Sequence, residues 1–253
     1  LLQENQLLKE RILLLESALK QAEVPLVEDT SCDYLKSKSA NSPTLAIGKS
    51  NTEPEEKPFP TLNKYSSPSE KIRLFMSLFK GREDVFAHKY FNKKQGKMVY
   101  GPMKSKPWER KPGDGEYAPF DERVVDHHLR GVDGMIAGVF PICLDDSCHF
   151  LAIDLDKGEW QRDAEVLRDV CKELEIPVSI ERSQSGNGAH VWFFFEDAVL
   201  AKTAREFGSA LLTAAMNRRH ELTLSSFDRL FPNQDSLPKG GFGNLIALPL
   251  QKT

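Results

Sequence analysis

The stretch Phe150-Leu151-Ala152-Ile153-Asp154-Leu155-Asp156 decides how the rest of this sequence is read. Its apolar, β-prone run predicts a buried strand over His149–Asp156. Alternate side chains of a strand share a face, so Asp154 and Asp156 point the same way. Two ionised carboxylates side by side at the end of a core strand repel each other and are costly to desolvate. A hard divalent cation such as Mg²⁺ relieves both, because it takes oxygen ligands and bridges to phosphate. The pair therefore predicts a phosphate-handling metal site.

Working outward, Gly138–Leu144 reads as a strand that turns at Asp145-Asp146-Ser147 into the decisive one. Trp160–Leu174 is helical, with apolar residues at Ala164, Leu167, Val170, Cys171 and Leu174. Pro177–Glu181 and Ala189–Phe195 read as strands joined by a Gly-rich hairpin. Ala201–Arg219 is a second helix and Gly243–Leu250 a final strand. From His149 onward the order is β-α-β-β-α-β, which predicts an α+β fold with a ferredoxin/RRM-like split βαβ core. In that topology the first and third strands are neighbours, so the aspartate pair lies beside the strand beginning near His190.

The chain has 253 residues and a formal net charge of −3, so bulk charge alone points to no nucleic-acid partner. Its distribution does. Residues 71–112 hold twelve basic residues against three acidic ones, a local charge of +9, with Tyr90, Phe91, Tyr100 and Trp108 interleaved. Such a stretch attracts a nucleic-acid backbone or a triphosphate, with Lys80, Arg82, Lys89, Lys93, Lys94 and Lys97 as candidate contacts. The plainer alternative is a solvated lysine-rich surface whose aromatics belong to the core.

Residues 1–23 carry a heptad pattern: Leu1, Leu8, Leu15 and Ala22 occupy one seam position, Asn5, Ile12 and Leu19 the other. That suits a short parallel coiled coil and hence a homodimer, or else an amphipathic helix docked on its own domain. Residues 24–69 read as a flexible linker. The expected division is then a basic α/β N-terminal module over 70–137 and a catalytic core over 138–253. The four cysteines show no CxxC spacing, and no apolar run reaches membrane-span length, which predicts a cytoplasmic, intracellular protein with no membrane partner. The start at Leu1 and the stop just after a strand-like segment suggest a piece of something longer.

Three segments converge on the expected site. Besides Asp154 and Asp156, the hairpin Ser185-Gly186-Asn187-Gly188-Ala189-His190 offers glycines that let amides approach an anion, a hydroxyl and an imidazole. The run Ser226-Phe227-Asp228-Arg229, followed by Lys239-Gly240-Gly241, supplies a third carboxylate and a further cation. Carboxylates beside a phosphate cradle are the kit for two-metal displacement at phosphorus. Each segment alone has an ordinary reading: chance, a turn, a structural His, or an Asp paired to Arg229.

Together they resemble the archaeo-eukaryotic primase (primase-polymerase) superfamily, whose motifs are a DxD pair, a Ser/His segment and a single later acid. The runs Leu74–Val85, Ser185–Trp192 and Gly240–Leu250 look like the primase branch of TOTE conflict systems, over about residues 70–251. The resemblance implies that Asp154, Asp156 and Asp228 bind two catalytic Mg²⁺ or Mn²⁺ ions. It further implies that Ser185, His190 and their hairpin hold the triphosphate of an NTP or dNTP. Template and primer would be single-stranded nucleic acid, and the longer protein would carry helicase and nuclease modules. Members often have a cysteine cluster before the core. Residues 107–120 here contain no cysteine, so no zinc is expected.

The function expected is metal-dependent, template-directed nucleotidyl transfer, as primase or polymerase. Three alternatives are a metal-dependent nuclease, a DHH-type phosphoesterase suggested by Asp126-His127-His128, and a catalytically silent nucleic-acid-binding adaptor.

Overall fold

The computed structural model describes residues 62–105, 116–218 and 224–252. The expected coiled coil and nearly all of the expected linker lie outside the described residues. Among the described residues the first helix, α1 (Pro68–Leu78), starts at a capping box: Ser67 accepts from the Glu70 amide while the Glu70 side chain accepts from the Ser67 amide. This cap lies just inside the stretch read as linker.

Two four-stranded antiparallel sheets follow. The first contains β1 (Ala87–Asn92), β2 (Lys97–Pro102), β3 (Ala137–Val139) and β8 (Ile246–Ala247), in the order β2-β1-β3-β8. The second contains β4 (Ser147–Asp156), β5 (Ser179–Arg182), β6 (Gly188–Leu200) and β7 (Phe227–Phe231), in the order β5-β6-β4-β7. Three helices complete the described fold: α2 (Glu122–Arg130), α3 (Trp160–Glu173) and α4 (Ala201–Arg218).

Alternation along β4 buries both faces of the second sheet. Leu151, Ile153 and Leu155 face α3 and α4, meeting Leu167, Val170, Phe207 and Leu211. Phe150 and Ala152 face the other way, packing with Trp192, Phe231, α1 residues Ile72 and Phe75, and Ile246 of the first sheet. Asp154 and Asp156 continue this second series to the strand end, where packing gives out.

Two expected strands are corrected. Gly138–Leu144 becomes the short β3 and joins the first sheet, not the second. Within Gly243–Leu250 only Ile246–Ala247 is strand, and it pairs with β3. The place beside β4 belongs to β7, a segment to which the sequence reading assigns no strand. Its polar residues Asp228 and Arg229 hide the signal, but Leu230 and Phe231 are buried. Buried Asp163 of α3 anchors its start, accepting from the Ser226 hydroxyl at 2.5 Å and the Ser226 amide at 3.3 Å.

The Asp126-His127-His128 run sits on α2. Its His128 is fully buried, accepting from the Ala137 amide on Nδ1 at 3.1 Å, so Nε2–H donates to the Pro249 carbonyl at 2.8 Å. Both ring nitrogens are committed to joining chain segments, and the phosphoesterase reading of this run is withdrawn.

Candidate active site

The antiparallel ladders place Asp154 directly between His190 of β6 and Arg229 of β7, with Asp156 opposite Gly188. His190 Nε2 lies 3.6 Å from Asp154 Oδ1. On the other ring edge, His190 Nδ1 is 3.1 Å from Glu181 Oε2, and the same oxygen accepts from Trp192 Nε1–H at 3.1 Å. A carboxylate only accepts, so the Nδ1 position carries the proton and Nε2 is presented to Asp154. Burial pushes the Asp154 carboxyl above its ordinary range. The charges of Asp228 and Asp156 push the same way, while His190 and Arg229 oppose them.

The third acid reaches this cluster through an irregularity in the ladder. Pairing slips between Asp154 and Leu155, so Asp228 is an extra residue between Arg229, opposite Asp154, and Phe227, opposite Leu155. Such a bulge re-aims side chains beside active sites. Asp228 Oδ2 accepts from Arg229 Nε at 2.7 Å, and this bond is the main cause holding the guanidinium above its ordinary pKa.

The donor set suits a hard divalent cation: Asp154 is largely buried and feels the charges of the more exposed Asp228 and Asp156. It is not a closed cage. Among the described residues no three His, Cys, Asp or Glu side chains converge as metal ligands, and Asp228 is turned into Arg229. Asp156, for its part, lies 3.6 Å from Lys157 Nζ. Cationic side chains thus supply the positive charge that the acids require.

The hairpin from Ser183 to Asn187 closes over the strand end. Ser185 Oγ accepts from the Asn187 amide at 3.2 Å and lies 3.1 Å from Ser183 Oγ. Gly186 has φ +74° and its carbonyl is clasped by Arg182 Nε and Nη2 at 2.9 and 2.8 Å. Asn187 contributes its carbonyl to the Lys157 amide at 2.9 Å, tying the hairpin to the end of β4. Gly188 serves close approach: a Cβ there would overlap the Leu155 carbonyl oxygen. Lys239 lies exposed in the loop between β7 and β8.

The six basic candidates separate. Lys89 Nζ meets Gln184 Oε1 of the hairpin at 3.0 Å, so it belongs beside the site. Lys93, Lys94 and Lys97 are exposed at the β1–β2 turn. Lys80 is 3.6 Å from Glu83. Arg82 is a correction: it is buried, grips Asp84 through Nε and Nη2 at 2.9 and 2.5 Å, and lies over the Phe242 ring at 5.0 Å. A guanidinium locked this way joins chain segments and is not free for a phosphate.

Glu181, Arg182 and Asp163 were missed by sequence reasoning. Glu181 left a signal, since counting back across the hairpin sets it directly opposite His190. Asp163 left none, because its partner Ser226 is far along the chain. A small cavity of about 30 Å³ lies beside His190, lined also by Tyr100, Glu181 and Gln184. A larger one of about 470 Å³ opens between α4 and β7 and touches the acid cluster only through Arg229.

The described site is an acid-bearing antiparallel sheet with a Ser/His hairpin at its strand end. The archaeo-eukaryotic primase domain of TOTE conflict systems matches residues 70–253, and the chain belongs to that family. No curated protein matches it significantly. Among solved structures it is similar to the polymerase domain of Mycobacterium tuberculosis ligase D in complex with DNA. That likeness has 13% identity and a TM-score of 0.38, covering 63% of this chain and 68% of the other. At that level it adds nothing to the argument. Among the described residues, no helix is long and apolar enough to cross a membrane.

Proposed function

We propose that this chain is a metal-dependent, template-directed nucleotidyltransferase, acting as a primase or polymerase on single-stranded nucleic acid with NTPs or dNTPs. The observation that carries the reading is Asp154, held between His190 and Arg229 while Asp156 and Asp228 act on it electrostatically. In it the second sheet, of order β5-β6-β4-β7, is the split βαβ core.

Asp154, Asp156 and Asp228 would hold Mg²⁺ or Mn²⁺, which when bound activates the attacking hydroxyl and neutralises charge on the triphosphate. Arg229 keeps Asp228 paired until a cation competes for it. His190, its Nδ1–H fixed on Glu181, presents Nε2 at the acid cluster, where as an imidazolium it donates Nε2–H to a phosphate oxygen. The Ser185 hydroxyl and the amides around Gly186 and Asn187 supply further donors, and Lys239 adds charge from its loop. Lys89 neutralises phosphate on the side of the first sheet. A homodimer through residues 1–23 and helicase or nuclease modules in the longer protein belong to the same proposal.

The test is primer extension on a single-stranded template with NTPs or dNTPs and Mg²⁺ or Mn²⁺. Replacing Asp154 and Asp156 by alanine should lower the rate by more than about a hundred-fold, beyond the usual cost of losing a ligand's supporting partner. Full activity in that double variant sinks the proposal. Degradation of DNA without nucleotides would make the chain a nuclease, and binding without any turnover would make it an adaptor.

A further inference from the structure

The β1–β2 hairpin has two faces, and the register separates them. Lys89 pairs with Tyr100 and Phe91 with Met98, so these four side chains share one face. His88 and Tyr90 take the other, where their rings stack at 5.1 Å. The first face begins at the candidate site: Tyr100 lines the small cavity beside His190, and Lys89 reaches Gln184. Phe91 and Met98 continue it outward and are 56% and 51% exposed. A ring and a thioether side by side in water have forgone the gain of burial, and they mark a contact surface. Beyond them, at the turn, lie Lys93 and Lys94, exposed and without an acidic partner among the described residues, whereas Lys97 pairs with Asn92 on the His88 and Tyr90 face.

We propose that this face is a ledge for single-stranded nucleic acid. Bases stack on Phe91 and Met98 beside the site, and Lys93 and Lys94 at the turn neutralise the phosphates. Same-face positions along a strand are about 7 Å apart, a step that one nucleotide of an extended single strand can match. Every base has a π-face, so the ledge accepts any sequence, as a template channel must. Phe91 and Met98 offer no hydrogen-bonding group to read a 2′-hydroxyl, so stacking on them takes DNA and RNA alike. The proposal rests on the nucleotidyl-transfer reading and adds to it the surface along which the strand lies.

The experiment is fluorescence anisotropy of the whole chain with labelled oligo-dT, without metal or nucleotide. Replacing Phe91 and Met98 by alanine should raise Kd about five-fold or more, the loss of at least one stacked base. Tyr65→Ala should leave Kd unchanged, because that exposed ring, beside Lys64, lies outside the hairpin. An unchanged Kd in the double variant, or an equal loss in Tyr65→Ala, overturns the ledge. Oligo-U should lose affinity to the same degree, and a loss confined to one of the two polymers overturns stacking as the source of binding. Should the double variant fail to fold by circular dichroism, Phe91→Trp provides the second measurement. Its larger ring must tighten oligo-dT binding, and unchanged or weaker binding by the folded variant refutes the proposal. Activity of the Asp154 and Asp156 double variant tests the underlying reading separately, since this binding assay needs no catalysis.

Discussion

Gly188→Ala should damage activity far more than stability. Gly188 pairs with Asp156 at the end of the β4–β6 ladder, next to Leu155. A Cβ at this position would overlap the Leu155 carbonyl oxygen and sit 3.2 Å from Ser183 Oγ and 3.3 Å from Asp156 Cα. Two of these three neighbours are main-chain atoms within a ladder, so they cannot swing aside as a long side chain would. β6 must therefore move off β4 by on the order of 0.5–1 Å to restore ordinary contact. Overpacking of this kind costs about 1–3 kcal/mol, which for a domain of this size lowers Tm by roughly 2–12 °C. The same shift displaces His190 and the Ser185 hairpin from Asp154, and a misplacement near 1 Å can cost about a hundred-fold in rate. Differential scanning fluorimetry and primer extension measure the two effects side by side. Gly134→Ala is the comparison, because Gly134 has φ +67° but open space around it. It should lose about 1–2 kcal/mol from left-handed strain alone and keep its activity. A Gly188→Ala protein with unaltered extension would refute the close-approach argument.

Asp154→Asn separates function from stability. Burial and the neighbouring acids raise the folded-state pKa of Asp154 above its unfolded value. The native state therefore holds that proton more tightly, and the associated stability is present below the unfolded pKa and lost as pH rises through the folded one. At pH 7 the charged group is a burden, so Asp154→Asn should melt at or above the parent temperature, while nucleotide extension disappears. The advantage should close as pH falls below about 4, and a lower Tm for the variant at pH 7 would contradict this. Glu181→Leu should cut kcat/KM by roughly ten-fold or more, mostly through KM for the nucleotide, since a charge-assisted hydrogen bond of about 1.5–3 kcal/mol no longer fixes His190. Glu181→Gln keeps an acceptor oxygen and should recover part of the loss. Equal kinetics for the leucine variant and the parent would remove Glu181 from the site.

Much of the core was legible locally. Strand β4 and helices α3 and α4 follow from periodicity, because one buried face imposes a repeat of two or of 3.6 on neighbouring residues. The shared face of Asp154 and Asp156 follows from the same rule, and their position beside His190 follows from the order of elements. Strand β7 was not legible. Nothing in Phe227-Asp228-Arg229-Leu230-Phe231 alternates cleanly, and its place beside β4 depends on Asp163, far back in the chain, holding Ser226. Arg82 shows the converse: a basic segment suggests a phosphate contact, whereas packing against Asp84 and Phe242 removes that arginine from the surface.

The sequence by itself determined which side chains could do phosphate chemistry and which of them share a strand face, since both depend on residue type and a repeat of two. Tertiary structure decided the rest. It chose β7 as the fourth strand, inserted the bulge that brings Asp228 toward Asp154, turned Asp228 into Arg229, and set Glu181 behind His190. These are pairings across distant segments, fixed by which backbone groups find partners and which apolar faces find cover, and no local pattern encodes that choice.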